Sequence, residues 1–311
     1  MPELPDVDLY ARRIADRFRG QAVAAVRLAS PFVLRTVSPP LSAAVGRRLL
    51  ATRRLGKRVV LELEGSLFFV IHLMVSGRFR LADRGAKIPG KVGLLAIDFD
   101  DGALVLTEAS PKKRASLHLA AGPVELAALD PGGLEVLSAD VGAFGARLRA
   151  ENRTLKRALT DPRLFSGIGN AYSDEILHAA GLSPVTRTAS LEPADVRRLF
   201  GAVRETLVGW SERLAAESPG FPEKVTAFRD DFAVHGKYGK PCPRCGTPVQ
   251  RIRYADNESN YCPTCQTGGK LLADRSLSRL LRGDWPKTLE ELEDRKRGSK
   301  AAPPPEDDGE G

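Results

Sequence analysis

VVLELEGSLFFVIHL, residues 59–73, carries two short apolar runs on either side of Gly65-Ser66. The first run alternates and opens on Val59-Val60, and the second is nearly continuous and rich in Phe, Val and Ile, so they predict paired strands and not a helix. LLAIDF (94–99) and ALVLTE (103–108) repeat the pattern, and Asp101-Gly102 between them is a hairpin signal. With Gly77 and Gly90 as further breaks, the segment up to about residue 120 reads as a mostly antiparallel β-sandwich or barrel. Ahead of it, Val7, Tyr10, Ile14 and Phe18 recur at three- and four-residue steps. They predict a helix from about Asp6 to Arg19, which Gly20 can stop.

Beyond about Pro131 the period becomes helical. LKRALTDPRLF (155–165), NAYSDEILHAAG (170–181) and ADVRRLFGAVRETLVGWSERLAAE (194–217) are amphipathic, with Gly or Pro at their boundaries. Ser190, ahead of Glu192 and Pro193, is the expected cap of the last of these. A Pro/Gly-containing segment (218–240) then leads to a cluster of cysteines, and LLADRSLSRLLRGDW (271–285) predicts one more short helix. The low-complexity end KRGSKAAPPPEDDGEG (296–311) is expected to be disordered. The fold class is therefore α+β, in four parts: a β-sandwich over 1–125, a helical domain over 132–216, a metal-binding finger over 235–270 and an extension over 271–311.

A formal net charge of +8 over 311 residues suits a polyanionic partner without establishing one. No apolar stretch approaches the roughly 20 residues of a membrane span. The start MPELPDVDLY lacks the apolar region of a signal peptide. The expectation is a cytoplasmic, membrane-free monomer.

All four cysteines lie between 242 and 265, as Cys242-Pro-Arg-Cys245 and Cys262-Pro-Thr-Cys265, sixteen residues apart. Each knuckle turns two thiolates toward one point, and two knuckles complete a tetrahedral shell for one Zn²⁺. Four thiolates leave no open coordination position, so that zinc is structural. The arm between them, GTPVQRIRYADNESNY, reads as a β-hairpin carrying Arg251 and Arg253. The four histidines (72, 118, 178 and 235) lack the spacing of an open metal site, which argues against a metal-dependent nuclease, and are read as core or surface residues.

Two further places carry chemistry. Ser166-Gly167-Ile168-Gly169-Asn170 joins two helices, with Lys156 before it. Glycines there allow close backbone approach, and helix-start amides are a ready anion site. At the other end, removal of Met1 would leave Pro2 as a secondary amine. An α-amino group with a pKa near 8 is partly neutral at physiological pH. It can attack a sugar C1′ and form an iminium, with the Glu3 carboxylate beside it to move protons.

Taken together, PELPDV at the start, SGIGNAYSDEIL at 166–177 and the paired CxxC finger resemble the formamidopyrimidine-DNA glycosylase/endonuclease VIII family over residues 2–266. The resemblance implies an N-terminal β-sandwich, a helix-two-turns-helix domain and a zinc finger, with damaged duplex DNA in the cleft and its lesion flipped out. It implies Pro2 as Schiff-base nucleophile, Glu3 as acid, Lys57 as a catalytic-site phosphate contact, and Asn170 with Gly169 and Lys156 as backbone grips. Departures accompany it. Asp6 stands where the family has glutamate. Val75 occupies the place of a methionine wedge, with Met74 adjacent. Ser110-Pro-Lys-Lys-Arg-Ala115 replaces an arginine- and phenylalanine-bearing loop, leaving Lys113 and Arg114 to meet DNA. Asn257 replaces a phosphate-binding arginine, a role passed to Arg253 or Arg251. The implied function is base-excision repair: oxidised bases are removed, and the strand is nicked by β- or β,δ-elimination. The alternative is a catalytically inactive damage-binding protein on the same scaffold.

Overall fold

The computed structural model describes residues 1–222, 225–226, 228–254, 257–273 and 285–301. Helix α1 (Leu4–Phe18) begins two residues before its apolar periodicity does, because Pro5 fits a first helical turn. Two four-stranded antiparallel sheets follow. One has the order β1 (Val23–Leu28), β6 (Gly93–Phe99), β7 (Ala103–Glu108), β5 (Gly77–Ala82). The other has the order β2 (Leu49–Leu55), β3 (Arg58–Leu63), β4 (Leu67–His72), β8 (Ser116–Ala121).

The four strands evident from periodicity, β3, β4, β6 and β7, are the central pair of each sheet. The four that periodicity misses, β1, β2, β5 and β8, are the edges. The cause is physical. A central strand packed on both faces reads as an unbroken apolar run, whereas an edge strand keeps charge on its open side. Edge strands β2 and β5 accordingly carry Arg53, Arg54, Arg78 and Arg80.

The inner faces of both sheets, with Phe69, Ile71, Leu95, Phe99 and Leu104, share one core with Val7, Tyr10, Ile14 and Phe18 of α1. The outer face of the second sheet (Val60, Phe68, Val70) is covered by Leu126 of α2 (Gly122–Ala128). Leu4, one turn ahead of Val7, belongs instead to the helical domain's core with Phe144, Leu159, Phe165 and Ile168. The first turn of α1 therefore enters both domains and fixes residues 2 and 3 at their junction.

The helical domain contains α3 (Val141–Arg149), α4 (Leu155–Thr160), α5 (Asn170–Ala180) and α6 (Pro193–Glu217). Helix α4 is shorter than its pattern because Pro162 disfavours helical geometry at Asp161. Helix α5 stops at Gly181, whose φ of 64° is left-handed. The cap of α6 is Glu192 and not Ser190, whose hydroxyl instead donates to the Arg187 carbonyl at 2.8 Å.

The finger comprises β9 (Gln250–Tyr254), β10 (Asn257–Tyr261) and α7 (Pro263–Thr267). Most of the helix expected over 271–285 lies outside the described residues. The disorder expected from Lys296 does not begin there, because α8 (Leu289–Ala301) runs through it. Apart from Asp294, LEELEDRKR consists of strong helix formers, and Arg297 pairs with Asp294 one turn back at 3.1 Å. No helix among the described residues is long and apolar enough to cross a membrane.

Candidate active site and nucleic-acid cleft

The turn at 166–170 is shaped by Glu3. One carboxylate oxygen of Glu3 accepts the backbone N–H of Gly169 at 2.7 Å and that of Tyr172 at 3.2 Å, and the other accepts that of Ala171 at 2.8 Å. The anion that the start of α5 was expected to take from outside is thus supplied by the chain itself. The N-terminal end of the helix dipole faces that carboxylate. Both glycines are required by this approach: a Cβ on Gly169 would lie 2.4 Å from the Glu3 carboxyl carbon, and one on Gly167 (φ +80°) would lie 2.8 Å from Leu4 Cβ. Gly169 is consequently spent on Glu3.

Asn170 is the residue of that turn left over. Among the described residues, neither its backbone N–H nor its side-chain amide forms a hydrogen bond, while its carbonyl accepts from Lys156 Nζ at 2.6 Å. Lys156, expected on a phosphate-facing surface, is buried and ion-paired with Asp174 at 2.5 Å. Lys57, in the β2–β3 turn, is half-buried and has no hydrogen bond or ion pair among the described residues. Burial lowers its pKa, the Glu3 charge opposes that shift, and Lys156 adds to it, which places the three groups in one field.

The free amine of this chain is that of Met1, one residue ahead of the buried Pro2. Burial lowers its pKa from 8.0. Glu3 and Asp6 oppose the shift, and Arg78 and Lys57 add to it. Asp6 accepts the Glu3 backbone N–H at 3.0 Å and Arg229 at 2.6 Å. Burial raises its carboxyl pKa despite that arginine. Arg78 Nε donates to the Val225 carbonyl at 2.5 Å. The segment after α6 is therefore tied across the N-terminus at two points.

The finger is docked through α5. Asp174 accepts His235 Nδ1 at 2.8 Å, Ser259 Oγ at 3.1 Å and the Asn260 backbone N–H at 3.1 Å, besides Lys156. Glu175 accepts the N–H groups of Ala233, Val234 and His235 at 2.7–2.9 Å. The four cysteine sulfurs lie within 4.8 Å of one another, with pairs at 4.0 and 3.4 Å. Zn–S bonds of about 2.3 Å in a tetrahedron require S–S edges of about 3.8 Å. The four cysteines therefore fit one structural zinc.

Three family models tile the chain: the formamidopyrimidine-DNA glycosylase N-terminal domain over 1–124, its helix-two-turns-helix domain over 133–212, and a zinc finger found in FPG and IleRS over 239–268. The formamidopyrimidine-DNA glycosylase of Acidovorax sp. is 34% identical over 274 residues, covering 86% of this chain and 99% of the relative. This chain belongs to the formamidopyrimidine-DNA glycosylase family. That of Thermus thermophilus is likewise 34% identical, over 86% of this chain and all of the relative. The Lactococcus lactis glycosylase, solved in complex with DNA containing an abasic site, matches with a TM-score of 0.74 at 26% identity over 85% of this chain.

Beyond these shared features of a formamidopyrimidine-DNA glycosylase, three contributors escape sequence reading. His72, read as core or surface, ends β4 opposite Arg58; its Nε2 is buried with no partner among the described residues. Burial, then Arg58 and Lys57, push its pKa down to about 4, so the ring is neutral. Arg54 of β2 donates to Ser166 Oγ at 3.0 Å and pairs with Asp8 and Glu135, locking the sandwich to the glycine turn. His178 Nε2 lies 3.2 Å from Cys242 Sγ. A thiolate can only accept, so the ring donates to it, as partners of metal ligands do. His178→Phe should therefore speed zinc release to a chelator by about tenfold or more. An unchanged release rate would show the contact to be idle.

The remaining expected contacts are placed unevenly. At the β4–β5 tip Met74 is half-buried with φ 52°, and Val75 is the exposed residue at 57%. Lys113 Nζ is committed to the carbonyls of Lys91 (3.2 Å) and Glu108, while the Arg114 side chain is exposed. Arg253 is exposed on β9, 3.9 Å from Glu258.

Proposed function

We propose that this protein is a DNA glycosylase and abasic-site lyase that removes oxidised bases, with the Pro2 amine as nucleophile once Met1 is removed. The observation that carries the reading is Glu3. A buried carboxylate held by the N–H groups of Gly169, Ala171 and Tyr172 at the start of α5 sits next to the chain's N-terminal amine, at the junction of two domains. In this reading the Pro2 nitrogen bonds to C1′ as the glycosidic C–N bond breaks. Glu3 moves protons at the opening sugar and faces the iminium charge that forms. Elimination from the iminium then breaks the C–O bonds to the flanking phosphates. Among the described residues, Asn170 and Lys57 are left with side chains free to receive backbone phosphate. One chain supplies both walls of the site, which supports a monomer as the working form. Zinc holds the finger's shape and takes no part in the chemistry.

With Ser110-Pro-Lys-Lys-Arg-Ala115 in place of the loop of the 8-oxoguanine-type enzymes, oxidised pyrimidines and ring-opened purines are at least equal candidates. Duplexes carrying an abasic site, 5,6-dihydrouracil or 8-oxoguanine test the function across the pH range. The amine must be neutral to attack, and Pro2 lies buried, where desolvation disfavours the charged form. Nicking should accordingly rise with pH and level off once the amine is neutral. No base release and no nicking on any duplex, from folded protein lacking Met1, would leave the damage-binding alternative in its place.

A further inference from the structure

We propose that the extension beyond the finger completes a second anion site, which takes a backbone phosphate of bound DNA beside the hairpin. The inference rests on the reading of this protein as DNA-binding. A cavity of 320 Å³ lies between the finger and the extension. Tyr238, Arg251, Arg253 and Tyr261 line it from the finger, and Trp285 and Arg295 from the extension. The zinc-finger family match ends at residue 268, so one wall of the cavity lies outside all three family models.

Charge and geometry select the ligand. Three guanidinium groups line one small space. Glu258 lies 3.5 Å from Arg251 and 3.9 Å from Arg253. On α8, Glu291 accepts the Lys287 N–H at 2.6 Å, and Asp294 pairs with Arg297 at 3.1 Å. Among the described residues, the lining of the cavity carries these guanidinium groups and no carboxylate, which favours an anionic ligand. Trp285 adds an indole N–H that is buried with no partner among the described residues. A forked guanidinium and an unused N–H donor match phosphate oxygens. The aromatic walls, where Arg251 already lies 4.3 Å over the Tyr238 ring, suit the sugar or base beside that phosphate.

The extension is held against the finger rather than hanging free. Leu272 N–H donates to the Tyr261 hydroxyl at 2.7 Å, and Leu271 N–H donates to the Lys287 carbonyl at 3.0 Å. Arg295 is exposed at the rim and makes no hydrogen bond or ion pair among the described residues.

The test uses the full-length, zinc-loaded protein as wild type, Arg295→Gln and the Arg251→Gln/Arg295→Gln double variant. Equilibrium binding to an undamaged duplex and to one carrying a tetrahydrofuran abasic analogue is followed over a series of salt concentrations. Each phosphate contact contributes about 0.9 to the slope of log K against log salt. Arg295→Gln should flatten the slope by about one. It should weaken both duplexes equally, because a backbone contact reads no lesion. The double variant should flatten the slope further. Unchanged slopes in the double variant would overturn the inference. Tighter binding by Arg295→Gln would also overturn it, by making the cavity a seat for the chain's own acidic residues 306–310. A wild type that binds plain duplex but neither excises nor nicks would defeat the enzymatic reading alone, and the slopes would still decide the site.

Discussion

Glu3→Gln should slow nicking of an abasic duplex by about a hundredfold to ten-thousandfold, the range expected when a positioned proton-transfer group is lost. The substitution keeps the length of the side chain and one acceptor oxygen. It replaces the other oxygen with an NH₂ that must face backbone N–H donors. At least one of the three hydrogen bonds is then lost, and the negative charge at the start of α5 goes with it. That loss should cost about 1–2 kcal/mol of stability, too little to unfold a domain of this size. Single-turnover nicking at saturating DNA, beside a thermal melt, separates the two effects. Activity within about threefold of wild type would remove Glu3 from the chemistry.

Asp174→Ala should be the costliest change outside the reacting groups, at about 3–5 kcal/mol. The fully buried carboxylate joins α4 through Lys156, the segment before the finger through His235, and β10 through Ser259 and Asn260. Truncation leaves the Lys156 ammonium buried without its counter-charge. Burial alone would raise the Asp174 pKa; Lys156, and then His235, outweigh it and hold the pKa below 3.8. A depressed carboxylate stabilises the fold above its unfolded pKa, and that contribution fades as pH falls through the folded one. The gap between wild type and variant should therefore be full at pH 7 and shrink in acid below about pH 4. Urea unfolding at the two pH values measures it. A difference under about 1 kcal/mol at neutral pH would mean that the finger is seated by other contacts.

What the sequence discloses follows from what each residue needs. Central strands announce themselves because both faces are apolar. Edge strands such as RRL of β2 do not, because Arg54 is there to reach Ser166 across a domain boundary. The cysteine pairs are legible because zinc fixes their local spacing. The glycines of the 166–170 turn are legible as a close approach, but not what approaches. Glu3 is 166 residues away from Gly169 in sequence, and only the insertion of α1 between the domains brings them together. For the same reason Lys156 reads as a surface cation until Asp174 is placed beside it, and His178 and His72 read as ordinary histidines. Local patterns carry fold and metal, whereas pairings across domains require the structure.

The N-terminal amine is the claim on which the chemistry turns, and its test is chemical. Protein lacking Met1 is incubated with an abasic duplex and sodium borohydride, and the adduct is digested and mapped by mass spectrometry. The prediction is a reduced sugar adduct on the peptide that begins with Pro2, at the proline nitrogen. An adduct on Lys57 or any other lysine, or nicking that proceeds with no trapped adduct, would contradict it.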